Sequence, residues 1–328
     1  MNPWGERDDA GLLDELEALT RHHLHGCPAY AAMWPDWDGA EDVTGLPWVH
    51  VGAFKHLDLR TQAEGIQHGR VLASSATGGT ASRIALDARS SERQAASSAA
   101  ILGSLVGERR RPLLIVDHPS TLRRRDGLPA RIAAAMALKP LASDLRFLLA
   151  HPDDPASVTA VGDGDDLLLY GFTWMLWLAA ERLDFGGARV QVVHSGGWKK
   201  LEALAVDRAA FDARVLATAG EGSAVWDCYG LVEQVGVLYP LCEAGHRHAP
   251  RWAEVLVRDP WTLDVLPAGS TGLLQLLNPL ALGAPYHSVL TEDLGRVVAG
   301  PCPCGRHGRV FDLAGRVPKA ELRGCANV

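Results

Sequence analysis

The sequence has few cysteines, few aromatic residues, no excess of positive charge and no hydrophobic run long enough to cross a bilayer. Six cysteines in 328 residues are too sparse for a disulfide scaffold, so an ordinary apolar core must hold the chain together. With 32 Lys and Arg against 39 Asp and Glu, a net charge of −7, there is no global footprint for nucleic acid or an anionic membrane. The longest apolar stretch, LLLYGFTWMLWLAA at 167–180, is followed by Glu181 and Arg182 and falls short of a membrane span. The first residues, MNPWGERDDAGLLDELEALTRHH, are charged and amphipathic and carry no secretory pattern, which points to a cytoplasmic protein. What remains is a globular balance, 47% hydrophobic and 22% charged with 34 Gly and 19 Pro, that excludes disorder as the main state.

Leu12, Leu13, Leu16 and Leu19 recur at helical spacing and predict a helix over 8–24, while CPAYAAMWPDWDG (27–39) reads as turns. LPWVHVGAFKHLDL (46–59) is an apolar run with a charged exit, and RVLASSATGGTASRIALD (70–87) reads as strand, small-residue turn and strand. Residues 91–107 are helical in pattern, RPLLIVDHP (111–119) is a compact strand, and PARIAAAMALKPL (129–141) is a helix. DDLLLYGFTWMLWLAAERLDF (165–185) is expected as a buried helix and ARVQVVHSGGWKK (188–200) as a strand entering a Gly-Gly turn. This alternation predicts an α/β core with helix-flanked sheets over 1–234, with ligand loops beyond strand ends. After residue 234 the segments AEVLVRDP, GLLQLLNP, PYHSVLTEDLGRVV and RVFDLAGRV are short and strand-like, predicting a smaller β-rich subdomain over 235–316 and a tail over 317–328.

Three constellations carry chemistry. SSATGGTAS (74–82) has the small residues and hydroxyls of a phosphate cradle, without the Lys-Ser/Thr ending of a Walker loop. HSGGWKK (194–200) sets a cation, Lys199, beside a turn roomy enough for substrate, where it would neutralise a carboxylate or phosphate. CEAGHRH (242–248) and PCPCGRHG (301–308) together supply Cys242, Cys302 and Cys304 plus one imidazole, His246 or His248, a donor set for a closed tetrahedral zinc site. No open ligand position is evident, so the metal would be structural. His118 and His287 receive no role, and Trp174 and Trp198 are walls of the core or of a substrate pocket.

After the small-residue loop come DCYGLVEQ (227–234), LTEDLGR (290–296) and GRVPK (315–319), in that order. The series resembles the ordered motifs of the adenylate-forming superfamily: a Ser/Thr/Gly loop, a Tyr-Gly-x-Thr-Glu segment, a Thr-Gly-Asp segment and a Gly-Arg hinge. Within it the chain is most similar to the acyl-protein synthetases, the ligase component of the fatty-acid reductase of luminous bacteria, beside the phenylacetate–CoA ligases. CPAY, VGAFKHLDL, YGFTWMLW, HSGGWKK, HAPRW and the terminal ELRGC extend the match nearly end to end.

The resemblance implies ATP-dependent conversion of a carboxylic acid to an acyl-adenylate with release of pyrophosphate. Ser74, Ser75, Thr77, Gly78 and Gly79 would line the phosphate loop, with Ala76 and Gly78 standing where Gly and Thr are usual. Tyr229 and Gly230 would lie near the adenine or acyl group, and Glu233 would help hold Mg²⁺. Asp293 would bond the ribose hydroxyls, with Arg316 a second nucleotide contact. It favours His248 as the zinc-binding imidazole, since in related ligases the histidine precedes a Pro/Trp segment, here APRW. The family usually continues into a mobile C-terminal domain with a catalytic lysine, for which the residues after the hinge leave no room. The expected fold is therefore the adenylate-forming N-terminal-domain architecture without that mobile domain, with Lys199 as a possible substitute. Cys325 stands where acyl-protein synthetases carry the cysteine that takes the acyl group as a thioester, for transfer to an acyl-reductase or carrier-protein partner. Two alternatives stay open: direct transfer from the adenylate to CoA, a carrier thiol or an amine, and a noncatalytic nucleotide-binding regulatory subunit.

Overall fold

A computed structural model describes residues 2–73, 82–123, 128–152 and 154–317. Its centre is a sheet whose strands run, edge to edge, Tyr239–Pro240, Ala224–Tyr229, Arg189–Ser195, Asp166–Phe172, Arg111–Ile115 and Ala142–Phe147. All neighbours are parallel except the short edge strand Tyr239–Pro240, which is antiparallel to Ala224–Tyr229. Leu113, Leu114, Leu168, Leu169, Val190 and Val192 are fully buried along its middle, and helices Ala88–Val106, Ala130–Ala137, Thr173–Ala179 and Arg208–Val215 contribute side chains to the same core. Burying one such side chain contributes roughly 2 kcal/mol. Asp87 and Asp207 cap two of these helices, accepting from Ser90 N at 2.9 Å and Ala210 N at 2.8 Å.

Residues 165–185, expected as one helix, form instead the strand Asp166–Phe172 followed by the helix Thr173–Ala179. The apolar run is continuous because a central parallel strand is covered on both faces, so the alternation that marks a half-buried strand is missing. CPAYAAMWPDWDG also departs from expectation: Pro28–Met33 is a short helix, with Pro28 at its first turn, where no N–H is needed. The helix predicted over 8–24 is Asp9–Gly26.

A second sheet orders Arg247–His248, Val310–Arg316, Ser288–Val297, Gly272–Leu277 and Glu254–Arg258, each antiparallel to the next. Val49–His50 joins it in parallel through Val289 and Leu290, whereas Tyr239–Pro240 belongs to the parallel sheet. The boundary expected at residue 234 is thus crossed by strand pairing in both directions. The first helix reinforces this, packing Leu12 and Leu16 against Leu256 and Leu277. A third sheet pairs His68–Ala73 with Arg83–Asp87 and with Leu128–Pro129. Among the described residues no helix is long and apolar enough to cross a membrane.

Candidate active site

The parallel strands reverse their order of addition around Arg111–Ile115, with Ala142–Phe147 on one side and Asp166–Phe172 on the other. Ligands in open α/β sheets bind beyond the carboxyl ends of strands at such a reversal. Three groups meet at the carboxyl end of the sheet, three strands along from that reversal. Tyr229 closes the strand Ala224–Tyr229, and its hydroxyl donates to Asp293 Oδ2 at 2.8 Å across to the antiparallel sheet. Asp293 and Arg316 are paired neighbours on adjacent strands, with Arg316 Nε 3.4 Å from Asp293 Oδ1 and its outer nitrogen 3.5 Å from Glu292. Arg316 is 58% exposed, so part of the guanidinium faces outward beside a carboxylate that is itself well covered.

Burial pushes the Asp293 carboxyl above its usual range, against the pull of the Tyr229 hydrogen bond and the Arg316 charge. Burial also pushes the Tyr229 phenol up, and Asp293 beside it adds to the shift, so the hydroxyl keeps its proton and stays a donor. Glu233, in the turn Val232–Gln234, is only 4% exposed. Burial raises its pKa, while a hydrogen bond from Ser82 and the more distant charges of Lys55 and Arg316 pull it back. An enclosed carboxylate that, among the described residues, has a hydroxyl as its side-chain partner and feels cations only through space fits a hard cation such as Mg²⁺.

Ser74, Ser75, Thr77, Gly78 and Gly79 lie outside the described residues, as does Cys325. The strands flanking that loop pair antiparallel, with Ala73 opposite Arg83. Lys199 opens the turn Lys199–Leu204, and its side chain is likewise not described. Before it, Gly196 takes φ +73°, a conformation that favours glycine, and accepts a 2.6 Å hydrogen bond from Thr173 through its carbonyl. His194 lies 3.0 Å from the same threonine hydroxyl, and burial holds it at about 4, hence neutral at pH 7. Gly230 leaves Tyr229, and a Cβ there would approach Leu238 to 3.1 Å.

Beyond Phe172, Ser195 and Gly230 lies a cavity of about 150 Å³ in whose wall no charged side chain stands among the described residues. Ala133, Ala134 and Ala137 of the helix Ala130–Ala137 form part of its wall. The Ala-rich run was legible as a helix but not as a wall, because which face meets the strand ends is set by topology.

Arg247 was also missed. Its guanidinium bonds Asp227 at 2.8 Å and the Tyr239 carbonyl at 3.0 Å, and lies 5.9 Å from the Tyr229 ring, clasping the two sheets behind the site. An Asp two residues before Tyr229 and an Arg between two histidines were the only signals.

His248, the next residue, faces a separate cluster. Ligand atoms of Cys242, His248, Cys302 and Cys304 all lie within 4.8 Å of one another. Cys242 Sγ and Cys302 Sγ are 3.7 Å apart, too far for a disulfide, and Cys304 Sγ is 3.3 Å from His248 Nε2. Tetrahedral bonds of zinc-like length put such edges at about 3.8 and 3.6 Å, which these two separations approach. His246 turns away and pairs with Asp312 at 2.6 Å.

Comparison with known proteins identifies the family and the fold. The family model described as "Acyl-protein synthetase, LuxE" matches residues 20–328. A long-chain-fatty-acid–luciferin-component ligase of Aliivibrio fischeri is 27% identical over 169 residues, 49% of this chain and 44% of that protein. A ligase of the same description from Vibrio harveyi is 29% identical over 146 residues, 43% of this chain and 37% of that one. The alignments thus span less than half the length of these curated relatives. Among solved structures, an open conformation of 2-hydroxyisobutyryl-CoA ligase in complex with 2-HIB-AMP and CoA matches with a TM-score of 0.70. At 15% identity, over 95% of this chain and 70% of that one, the likeness is one of fold.

Proposed function

Because this chain belongs to the acyl-protein synthetase (LuxE) family, we propose that it is an ATP-dependent acyl-activating ligase. The observation that carries the reading is the meeting of Tyr229, Asp293 and Arg316 at the end of the parallel sheet, with the buried Glu233 four residues on from Tyr229. Asp293, oriented by Tyr229, accepts hydrogen bonds from the ribose hydroxyls, and Arg316 offers its exposed face to the nucleotide. Glu233 would hold Mg²⁺, which neutralises triphosphate charge when bound. Ser74, Ser75, Thr77, Gly78 and Gly79 would cradle the phosphates, Gly230 leaves room beside Tyr229, and Lys199 would steady the reacting carboxylate.

In the first step a carboxylate oxygen attacks the α-phosphorus. A new P–O bond forms, the bond to the β-phosphate oxygen breaks, and pyrophosphate leaves with the electron pair. In the second, the Cys325 thiolate attacks the acyl carbon; the C–O bond to AMP breaks and a thioester forms, still activated for a reductase or carrier partner. The four-ligand cluster Cys242, His248, Cys302 and Cys304 would hold a structural Zn²⁺, burial keeping His248 at about 4 and so neutral. Burial raises the Cys228 thiol to about 12, which disfavours its thiolate; the free thiols among the described cysteines fit a chain working in the cytoplasm.

The test is to incubate the protein with ATP, Mg²⁺ and a mixture of short, long and aromatic acids and to weigh it intact. A mass gain matching one acid, mapped to the Cys325 peptide and absent from Cys325→Ser, supports the reading. AMP formation without a mass gain moves the second step to CoA or another external acceptor.

A further inference from the structure

We infer that Arg247 is a positioning residue for the nucleotide site, through which a metal at Cys242, His248, Cys302 and Cys304 and a nucleotide at Asp293 strengthen each other's binding. The inference rests on the acid-activating reading and extends it from the site to what holds the site in shape.

Tyr229 bonds Asp293 only while its ring keeps its direction, and three neighbours fix that direction. The Tyr239 ring lies tilted at 5.9 Å, the Phe311 ring edge-on at 6.3 Å, and the Arg247 guanidinium over the ring at 5.9 Å. Arg247 in turn holds the other members of this cage. It donates to the Tyr239 carbonyl at 3.0 Å, pairs in strand register with Phe311, and meets the carboxylate of Asp227, which shares a strand with Tyr229, at 2.8 Å. Its side chain is only 10% exposed, so water competes little for these bonds.

Arg247 also stands next to His248. Its hairpin is anchored by Cys242 N on the His246 carbonyl and by Leu241 N on the Asp227 carbonyl, both at 2.8 Å. Cys302 and Cys304 lie in the connection between Ser288–Val297, which carries Asp293, and Val310–Arg316, which carries Arg316. An ion bonded to all four ligands would draw the two loops together and fix where Arg247 stands against Tyr229. The Arg306–Glu243 ion pair also joins these loops, but its carboxylate is open to water and it holds them weakly. Linkage then requires the nucleotide to tighten the metal by the same factor by which the metal tightens the nucleotide. A lysine at 247 would keep the charge but could not span the Asp227 carboxylate and the Tyr239 carbonyl with two nitrogens of one plane.

The experiment measures binding of ATP with Mg²⁺, and of AMP, by calorimetry. The proteins are wild type, Arg247→Met, Arg247→Lys, Tyr229→Phe and the Arg247→Met/Tyr229→Phe double variant, each first checked for native circular dichroism. Arg247→Met should weaken both nucleotides about tenfold, the effect of one bond to a charged group, and Arg247→Lys about threefold. The double variant should bind no more than about threefold below the weaker single one, because both changes act on one contact. Zn²⁺ affinity, read by competition with a chromogenic chelator, should rise about fivefold when AMP is added to wild type and less than twofold in Arg247→Met. Where Arg247→Met loses its native spectrum, Arg247→Lys carries the same comparisons. Single effects that multiply in the double variant, a wild type that binds no Zn²⁺, or Zn²⁺ affinity indifferent to AMP overturn the inference and leave the ligase reading standing. Coupling as described, with no acid yielding AMP, keeps the inference and removes the ligase reading; nucleotide binding to none of the proteins removes both.

Discussion

The Tyr229 hydroxyl donates a 2.8 Å hydrogen bond to Asp293 Oδ2 and so joins the last residue of a parallel strand to the middle of an antiparallel one. One bond holds the carboxylate in place and helps keep it ionised, since burial alone drives its pKa up. Removing the hydroxyl in Tyr229→Phe should therefore raise the KM for ATP about tenfold, the value of one hydrogen bond to a charged group. It should also move the acidic limb of the pH profile to higher pH. Steady-state kinetics from pH 5 to 8 check both; an unchanged KM and limb would mean that Asp293 does not depend on Tyr229.

The thiol–imidazole cluster should carry one Zn²⁺ per chain by elemental analysis of protein purified without chelators. Cys302→Ser should lose the metal. A tightly bound ion contributes about 4 kcal/mol at a thousandfold excess over its dissociation constant, so the melting temperature should fall on the order of 5 °C or more. His246→Gln should keep the metal, because His246 pairs with Asp312 instead.

A second prediction about stability comes from histidines away from the site. His23 and His287 are fully buried and stacked at 4.9 Å, bonded to Thr61 and Thr20, and His287 Nδ1 has no partner among the described residues. Burial lowers both, His287 to about 3. The unfolded chain titrates near 6.5 and so binds protons that the folded one refuses. Stability is then complete above about pH 6.5 and is lost as pH falls toward 3, with His287 alone costing about 2 kcal/mol by pH 5. Denaturant titrations at pH 7.5, 6.0 and 5.0 should show the decline, and His287→Asn should flatten it by about one proton.

Much of this organisation is legible in the residues. Helical spacing of Leu12, Leu16 and Leu19 marks the first helix, and the pairs flanking 74–81 read as two strands. DCYGLVEQ, LTEDLGR and the Gly-Arg hinge are far apart in the chain; their resemblance to the ordered motifs of the adenylate-forming superfamily implies one site, and the fold sets Tyr229, Asp293 and Arg316 side by side. Residues 166–172 were not legible as a strand, because burial on both faces erases the period-two signal that separates strand from helix. The pairing of Val49–His50 with Val289–Leu290, the Arg247 clasp and the alanine wall escaped for another reason. Each depends on which distant segments become neighbours, and no local pattern encodes that.

The central claim is that the chain uses ATP to activate a carboxylic acid, and the most direct measurement is acid-dependent exchange of labelled pyrophosphate into ATP. The account predicts exchange only when an acid is supplied, reduced about a hundredfold in Asp293→Ala by loss of charge-assisted hydrogen bonds to the nucleotide. ATP binding by calorimetry, with no exchange for any short, aromatic or long-chain acid, would contradict it and make the chain a nucleotide-binding subunit.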